Sequence, residues 1–125
     1  MDHAFLNGVI ESAGQAADTA ELPWNPHPSF PGVNLKHLLA SEQTGGSLSL
    51  HLVRIDPGCA IGSHVHETQD ELHLVLEGRG DCLLNRDSLA YAPGAGRFLP
   101  RGEPHEVRAG DHGLLLAALF TPALP

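Results

Sequence analysis

Gly58-Cys59-Ala60-Ile61-Gly62-Ser63-His64-Val65-His66-Glu67-Thr68-Gln69-Asp70-Glu71-Leu72-His73-Leu74-Val75-Leu76-Glu77-Gly78 is the stretch that decides the fold. In an extended strand successive side chains alternate faces, so His64 and His66 point the same way, about 7 Å apart along the chain. Two imidazoles so placed can both reach one ion. The polar run Glu67 to Asp70 reads as a turn. After it, Glu71, His73 and Val75 alternate with Leu72, Leu74 and Leu76, so a hairpin returns Glu71 to the side of the histidines. Farther on, Arg101-Gly102-Glu103-Pro104 forms a turn that presents His105 from a third strand. Three imidazoles and a carboxylate on short strands make a metal-site composition.

At these residues the chain resembles the cupin superfamily. Gly58, His64, His66, Glu71 and Gly78 fill every fixed position of the first cupin motif, G(X)5HXH(X)3,4E(X)6G. Gly94, Pro100, Gly102 and His105 fit the second, G(X)5PXG(X)2H(X)3N, except that Ala109 stands where the asparagine belongs. That asparagine is not a usual metal ligand. The resemblance implies an all-β, double-stranded β-helix (jelly roll) with one divalent metal ion in its mouth, and His64, His66, Glu71 and His105 as the ligands. Imidazole and carboxylate donors suit Fe, Mn, Ni, Cu or Zn without choosing among them.

The rest of the chain fits a single cupin β-barrel domain over residues 21–125. Ten prolines and fourteen glycines punctuate short apolar runs, as an all-β chain requires. Val33 to Ala40 and Leu48 to Ile55 read as strands before the motif. Asp81 to Leu84, Leu89 to Ala92, Arg97 to Leu99, Glu106 to Arg108 and Leu114 to Phe120 read as strands after it. Leu114 to Phe120 is apolar on both faces and is expected to be buried on both. Asp111-His112-Gly113 reads as the turn before it. The face of His51 is not fixed by the pattern. No helix is expected after residue 20.

Residues 1–20 form an N-terminal segment in which Phe5, Leu6, Val9, Ile10 and Ala13 mark a helical stripe, weakened by Gly8 and Gly14. A short helix lying across the barrel or on a partner is expected. Trp24 lies in a proline-rich arm and reads as an apolar plug at one end of the core. His27, between two prolines, reads as exposed rather than metal-bound. Leu72, Leu74 and Leu76 face away from the metal side and need a cover, either the N-terminal segment or a second copy in a homodimer.

A net charge of −8 argues against nucleic acid and against an acidic membrane surface as partners. Met1 to Gly14 shows neither a basic n-region nor a long apolar core, so a cytoplasmic location is expected. Cys59 and Cys82 read as small buried residues rather than a disulfide framework.

Two functional classes follow. The first is a mononuclear metal-dependent enzyme (dioxygenase-like, isomerase or decarboxylase) acting on a small chelating substrate. In it His73, two residues past Glu71 on the same face, is the candidate catalytic residue, either as general acid or base or as a group that orients a ligand. The second is a non-catalytic metal-dependent sensor or binding module for a small molecule or a redox signal. The segment from Trp24 to Leu38, with the HxH pair and Glu71, is similar to the zinc-binding cupin domain of some bacterial anti-sigma factors. The helical sigma-binding domain that accompanies such domains does not appear in this sequence.

Overall fold

The computed structural model describes residues 2–125. The chain begins with a 3-10 turn, Ala4–Leu6, and a hairpin of β1 (Val9–Ser12) and β2 (Gln15–Asp18), then a second 3-10 turn, Thr19–Glu21. The remaining strands are β3 (Asn25–Pro26), β4 (Val33–Leu39), β5 (Ser49–Ile55), β6 (Ala60–His64), β7 (Asp70–Leu84), β8 (Asp87–Tyr91), β9 (Gly96–Leu99) and β10 (His105–Thr121). A single-turn helix, α1 (Ser41–Thr44), separates β4 from β5 where no helix was expected.

Two long antiparallel strands, β7 and β10, hold the barrel together. Their first-to-last pairing runs from Asp70↔Thr121 to Leu84↔His105 and is broken between Ala109 and Leu114. On one side of that break β10 pairs with β5, and β7 with β9. On the other side β10 pairs with β6, and β7 with β8. Each long strand therefore belongs to both layers of the jelly roll. The expected turn at Asp111-His112-Gly113 is this break: the strand bulges there and continues rather than reversing.

The bend needs glycine. Gly78 has φ +84°, and a Cβ on it would lie 2.0 Å from the Gly113 carbonyl oxygen. No side chain fits that approach of backbone to backbone.

The interior face carries Val33, Val53, Ile55, Val75, Cys82, Leu99, Val107, Leu114 and Leu116, all buried. Ser49, His51, Val53 and Ile55 of β5 alternate with Leu50 and Leu52, and the core contacts of Val53 and Ile55 show that His51 faces the barrel interior. A second apolar cluster lies on the outer face, where Leu38, Leu52 and Leu115 pack against Leu6, Ile10, Leu22, Trp24, Leu50 and Leu76. This cluster explains why Leu114 to Phe120 is apolar on both sides. Trp24 does not plug the barrel end; it joins the outer cluster, with the Arg54 guanidinium 4.3 Å and the Lys36 ammonium 5.1 Å from its ring centroid.

The N-terminal segment covers the outer face as a hairpin, not as the expected helix. Ala13 and Gly14, φ +51° and +81°, form its two-residue turn, and Glu11 Oε1 accepts the Gly14 N–H at 2.6 Å. Both positive φ values suit a type I′ turn, which matches the twist of the flanking strands. The cover is partial. Leu76 is packed beneath the hairpin, whereas Leu74 remains 48% exposed, with Phe98 at 57% nearby on β9. Among the described residues no helix is long and apolar enough to cross a membrane.

Gly78→Ala and Gly94→Ala form a matched pair of variants. Both glycines have positive φ, but an added Cβ meets nothing within 4 Å at Gly94. Gly94→Ala is expected to cost about 1–2 kcal/mol of unfolding free energy from the left-handed backbone alone. Gly78→Ala must add displacement of the Gly113 backbone, and its denaturant midpoint should fall well below that of Gly94→Ala. Equal midpoints would show that the β7–β10 crossing is not the tight point described.

Candidate metal centre

The side chains of His64, His66, Glu71 and His105 converge in the barrel, with one ligand atom of each within 4.8 Å of all the others. They come from the end of β6, the loop after it, the start of β7 and the start of β10. His64 and His105 are direct partners across the β6–β10 ladder. His66 lies beyond the end of β6 but keeps the same side, its ring centroid 5.0 Å from that of His64. The two ligand-bearing loops are tied together. Gly102 N–H donates to the His66 carbonyl at 2.9 Å. The Asp70 carboxylate accepts from the Arg101 backbone N–H and from its guanidinium, at 3.0 and 3.2 Å. These bonds hold the Asp70 carboxyl below its ordinary pKa and commit it outside the cluster.

Two of the three imidazoles are turned for ligation by backbone carbonyls. His64 Nδ1 meets the Gly62 carbonyl at 2.7 Å, and His105 Nδ1 meets the Glu103 carbonyl at 3.2 Å. A carbonyl can only accept, so both Nδ1 atoms carry the proton and both Nε2 atoms present a lone pair. Burial lowers the pKa of His64 and of His66, which favours the neutral, ligating form.

Glu71 is 5% exposed. Its Oε2 accepts from His73 Nε2 at 2.6 Å, and His73 Nδ1 meets the Tyr91 hydroxyl at 3.0 Å. Its Oε1 lies 3.2 Å from His105 Nε2 and 3.6 Å from His66 Nε2. Glu71 Oε1 and His105 Nε2 are both buried without a hydrogen-bond partner. Burial opposes ionisation of Glu71, but His73 beside it outweighs that and holds the carboxyl well below the usual carboxylate range. A buried anionic oxygen and a buried imidazole lone pair, both orphaned and facing one point, are what a divalent cation would satisfy. The donor set fits such an ion.

His73 is fully engaged. Burial disfavours its charged form, yet the Glu71 carboxylate and the Cys82 thiol beside it raise its pKa to about 9. Tyr91 is pushed above the ordinary phenol range by burial and by Cys82. Cys82 is buried and Cys59 half-buried, and neither is in a disulfide.

A cavity of about 90 Å³ adjoins the cluster. Besides His64, His66, Glu71 and His73 it is lined by His27, Val33, Leu35, Val53, Ile61, Ala118, Phe120 and Leu124. None of these is lysine or arginine. His27 was expected to be exposed; it is half-buried at the mouth and outside the ligand cluster. His51 faces inward but lies behind Phe120, its ring centroid 5.6 Å from the phenyl, and bonds instead to His37 and Ser49 at 2.7 and 2.9 Å. A larger apolar cleft of about 400 Å³ lies on the outer face between the hairpin and β5, β7 and β10, and it carries no titratable side chain.

The cupin-domain family model matches residues 51–119, more than half of the chain. This protein is a cupin. Its fold is shared by KdgF from Halomonas sp., at 24% identity and TM-score 0.74, covering 84% of this chain and 92% of that one. A predicted oxalate decarboxylase from Thermotoga maritima is similar at 24% identity and TM-score 0.74, covering 84% and 96%. The polyketide cyclase RemF from Streptomyces resistomycificus is similar at 20% identity and TM-score 0.74, covering 86% and 78%. At such identities these likenesses speak for the cupin fold alone. No protein with curated annotation matches the chain. The likeness to anti-sigma cupin domains rests on the sequence motif only.

Below pH 6.5 the buried His51 gives the cupin a pH dependence of definite sign. Burial, with His37 next, lowers the pKa of His51 from 6.5 to about 4. Between those values the unfolded chain binds a proton that the folded His51 refuses, so the His51 contribution to stability is full above pH 6.5 and falls toward pH 4. With chelator present, the urea midpoint should fall over that interval, and His51→Gln should make the fall shallower. His64 and His66 act in the same direction and remain in the variant. An unchanged slope in His51→Gln would contradict this account of His51.

Proposed function

We propose that this cupin is a mononuclear metal-dependent enzyme acting on a small chelating substrate, with His64, His66, Glu71 and His105 as the protein ligands. The observation that carries the reading is the pair of orphaned buried atoms, Glu71 Oε1 and His105 Nε2, beside a cavity. Four protein donors leave open positions on a six-coordinate ion, as catalytic sites do and closed structural sites do not. When bound, the ion would supply Lewis acidity or, if iron, oxygen chemistry of the dioxygenase kind.

The protein's own groups then have separate tasks. His64 and His105 are oriented by backbone carbonyls. His73 holds Glu71 Oε2 in place, and Tyr91 holds His73. Of the two roles open to His73, orientation of Glu71 fits its geometry better than proton transfer, because both of its nitrogens are occupied. Val33, Leu35, Val53 and Phe120 keep water from the substrate side and favour an apolar body. The lining offers no cation to pair with a free carboxylate. These features favour a compact, mostly apolar substrate with two neighbouring oxygen donors.

A non-catalytic sensor is the second reading, favoured by the modest size of the cavity. Iron-loaded protein that consumes oxygen on a β-diketone or a catechol supports the enzyme. Tightly held zinc, with no oxygen uptake and no conversion of those compounds, supports the sensor.

The role of His73 is tested by two variants. His73→Gln keeps a donor to Glu71, and its metal affinity should stay within a few-fold of the parent. His73→Leu removes the donor and should weaken metal binding about 10- to 100-fold. Equal affinities in chelator competition would rule out the orienting role.

The second copy expected from the sequence remains the proposed cover for the outer face. Phe5, Val9, Leu74 and Phe98 are 54%, 72%, 48% and 57% exposed, an apolar set that a homodimer would bury. Light scattering at micromolar concentration should give twice the chain mass, and Leu74→Glu with Phe98→Glu should return it to one. A monomeric parent would overturn the dimer.

A further inference from the structure

We infer that His27 is a substrate-positioning residue, whose Nε2–H donates a hydrogen bond to an oxygen of a chelating ligand at the metal centre. The inference rests on the metal-site reading above and names a contact that neither cupin motif contains.

The arm that carries His27 is rigid. Pro26 and Pro28 flank it, and its backbone N–H donates to the Val33 carbonyl at 2.8 Å, tying the arm to the start of β4. The ring packs against Phe30 at a tilt of 38°, centroids 4.7 Å apart, and Phe30 in turn lies 6.1 Å from the His64 ring. Gly62 makes room for this stack, since a Cβ there would sit 3.0 Å from Phe30 Cε1. The same Gly62 carbonyl accepts from His64 Nδ1. The arm histidine, its aromatic support and one metal ligand are therefore packed as a unit.

The proton on the His27 ring is also fixed. The Ser29 backbone N–H donates to His27 Nδ1 at 3.0 Å. A nitrogen that accepts carries no proton, so the proton of the neutral ring is on Nε2. Among the described residues Nε2 makes no hydrogen bond, and His27 lines the cavity that His64, His66 and Glu71 also line. A half-buried donor beside an apolar cavity, held by a rigid arm and bonded to no protein atom, is placed to meet a ligand. The ligand chemistry that satisfies it is an oxygen acceptor next to a metal-binding oxygen, as in a hydroxamate, an enolised diketone or a catecholate. The apolar remainder of such a ligand would meet Val33, Leu35 and Phe120.

The test uses the full chain loaded with Co(II), whose visible absorption reports both metal binding and added ligands. Acetohydroxamate is the bidentate probe, and azide the small monodentate control. His27→Phe keeps the stack on Phe30 and loses the donor; His27→Gln keeps an N–H. Co(II) affinity and azide affinity should stay within about twofold of the parent in both. Acetohydroxamate Kd should rise about tenfold in His27→Phe, as expected for one hydrogen bond lost to a charged oxygen. In His27→Gln it should stay within about threefold. An unchanged Kd in His27→Phe overturns the inference, as does a parent that holds cobalt but takes up no acetohydroxamate. Loss of cobalt, or a parallel loss of azide, in His27→Phe overturns it too, by making the ring a support of the metal centre. A parent that binds no cobalt fails one step earlier and removes the metal-site reading together with this one.

Discussion

A carboxylate buried in the middle of an apolar barrel is the constraint on which the rest depends. Glu71 is almost fully removed from water, and an anion there is costly unless every lone pair finds a partner. The protein supplies one side of that compensation through His73 and, behind it, Tyr91. It leaves the other side, Oε1, facing the Nε2 atoms of His66 and His105. Hydrophobic packing alone would select against this cluster. A cation shared by the four donors, as proposed above, would offset that cost.

The architecture places these groups by making two strands do double duty. Because β7 and β10 cross from one layer to the other, Glu71 and His105 can start two different strands and still meet. The crossing works only if backbones touch, which is why Gly78 lies against the Gly113 carbonyl. The outer apolar cluster under the N-terminal hairpin then anchors the opposite face of the same strands. Packing on the outside thus keeps the ligands in register on the inside.

Much of this was readable from residue spacing. The two-residue period put His64 with His66, and Glu71 with His73, on common faces, and the motif spacing brought in His105. The both-sided burial of Leu114 to Phe120 followed from its uninterrupted apolar run. The N-terminal segment misled because Phe5, Leu6, Val9, Ile10 and Ala13 satisfy a helical period by accident. The hairpin's turn has alanine at its first left-handed position, so the usual Asn-Gly signature was absent. Trp24 was misplaced, and the half-burial of His27 missed, for a related reason. Both sit in an irregular arm, where no periodicity tells which way a side chain turns. The direction of His51 became visible only once Val53 and Ile55 were seen in the core.

The central claim is that these four side chains hold one divalent ion. The direct measurement is elemental analysis of protein purified without a metal-affinity resin, beside a His64→Ala, His66→Ala variant whose fold is checked by circular dichroism. The account predicts close to one equivalent of a divalent transition metal per chain in the parent, and almost none in the folded variant. Equal metal content in the two proteins, or a parent that stays metal-free after incubation with Fe(II), Mn(II), Ni(II), Cu(II) and Zn(II) in turn, would contradict it.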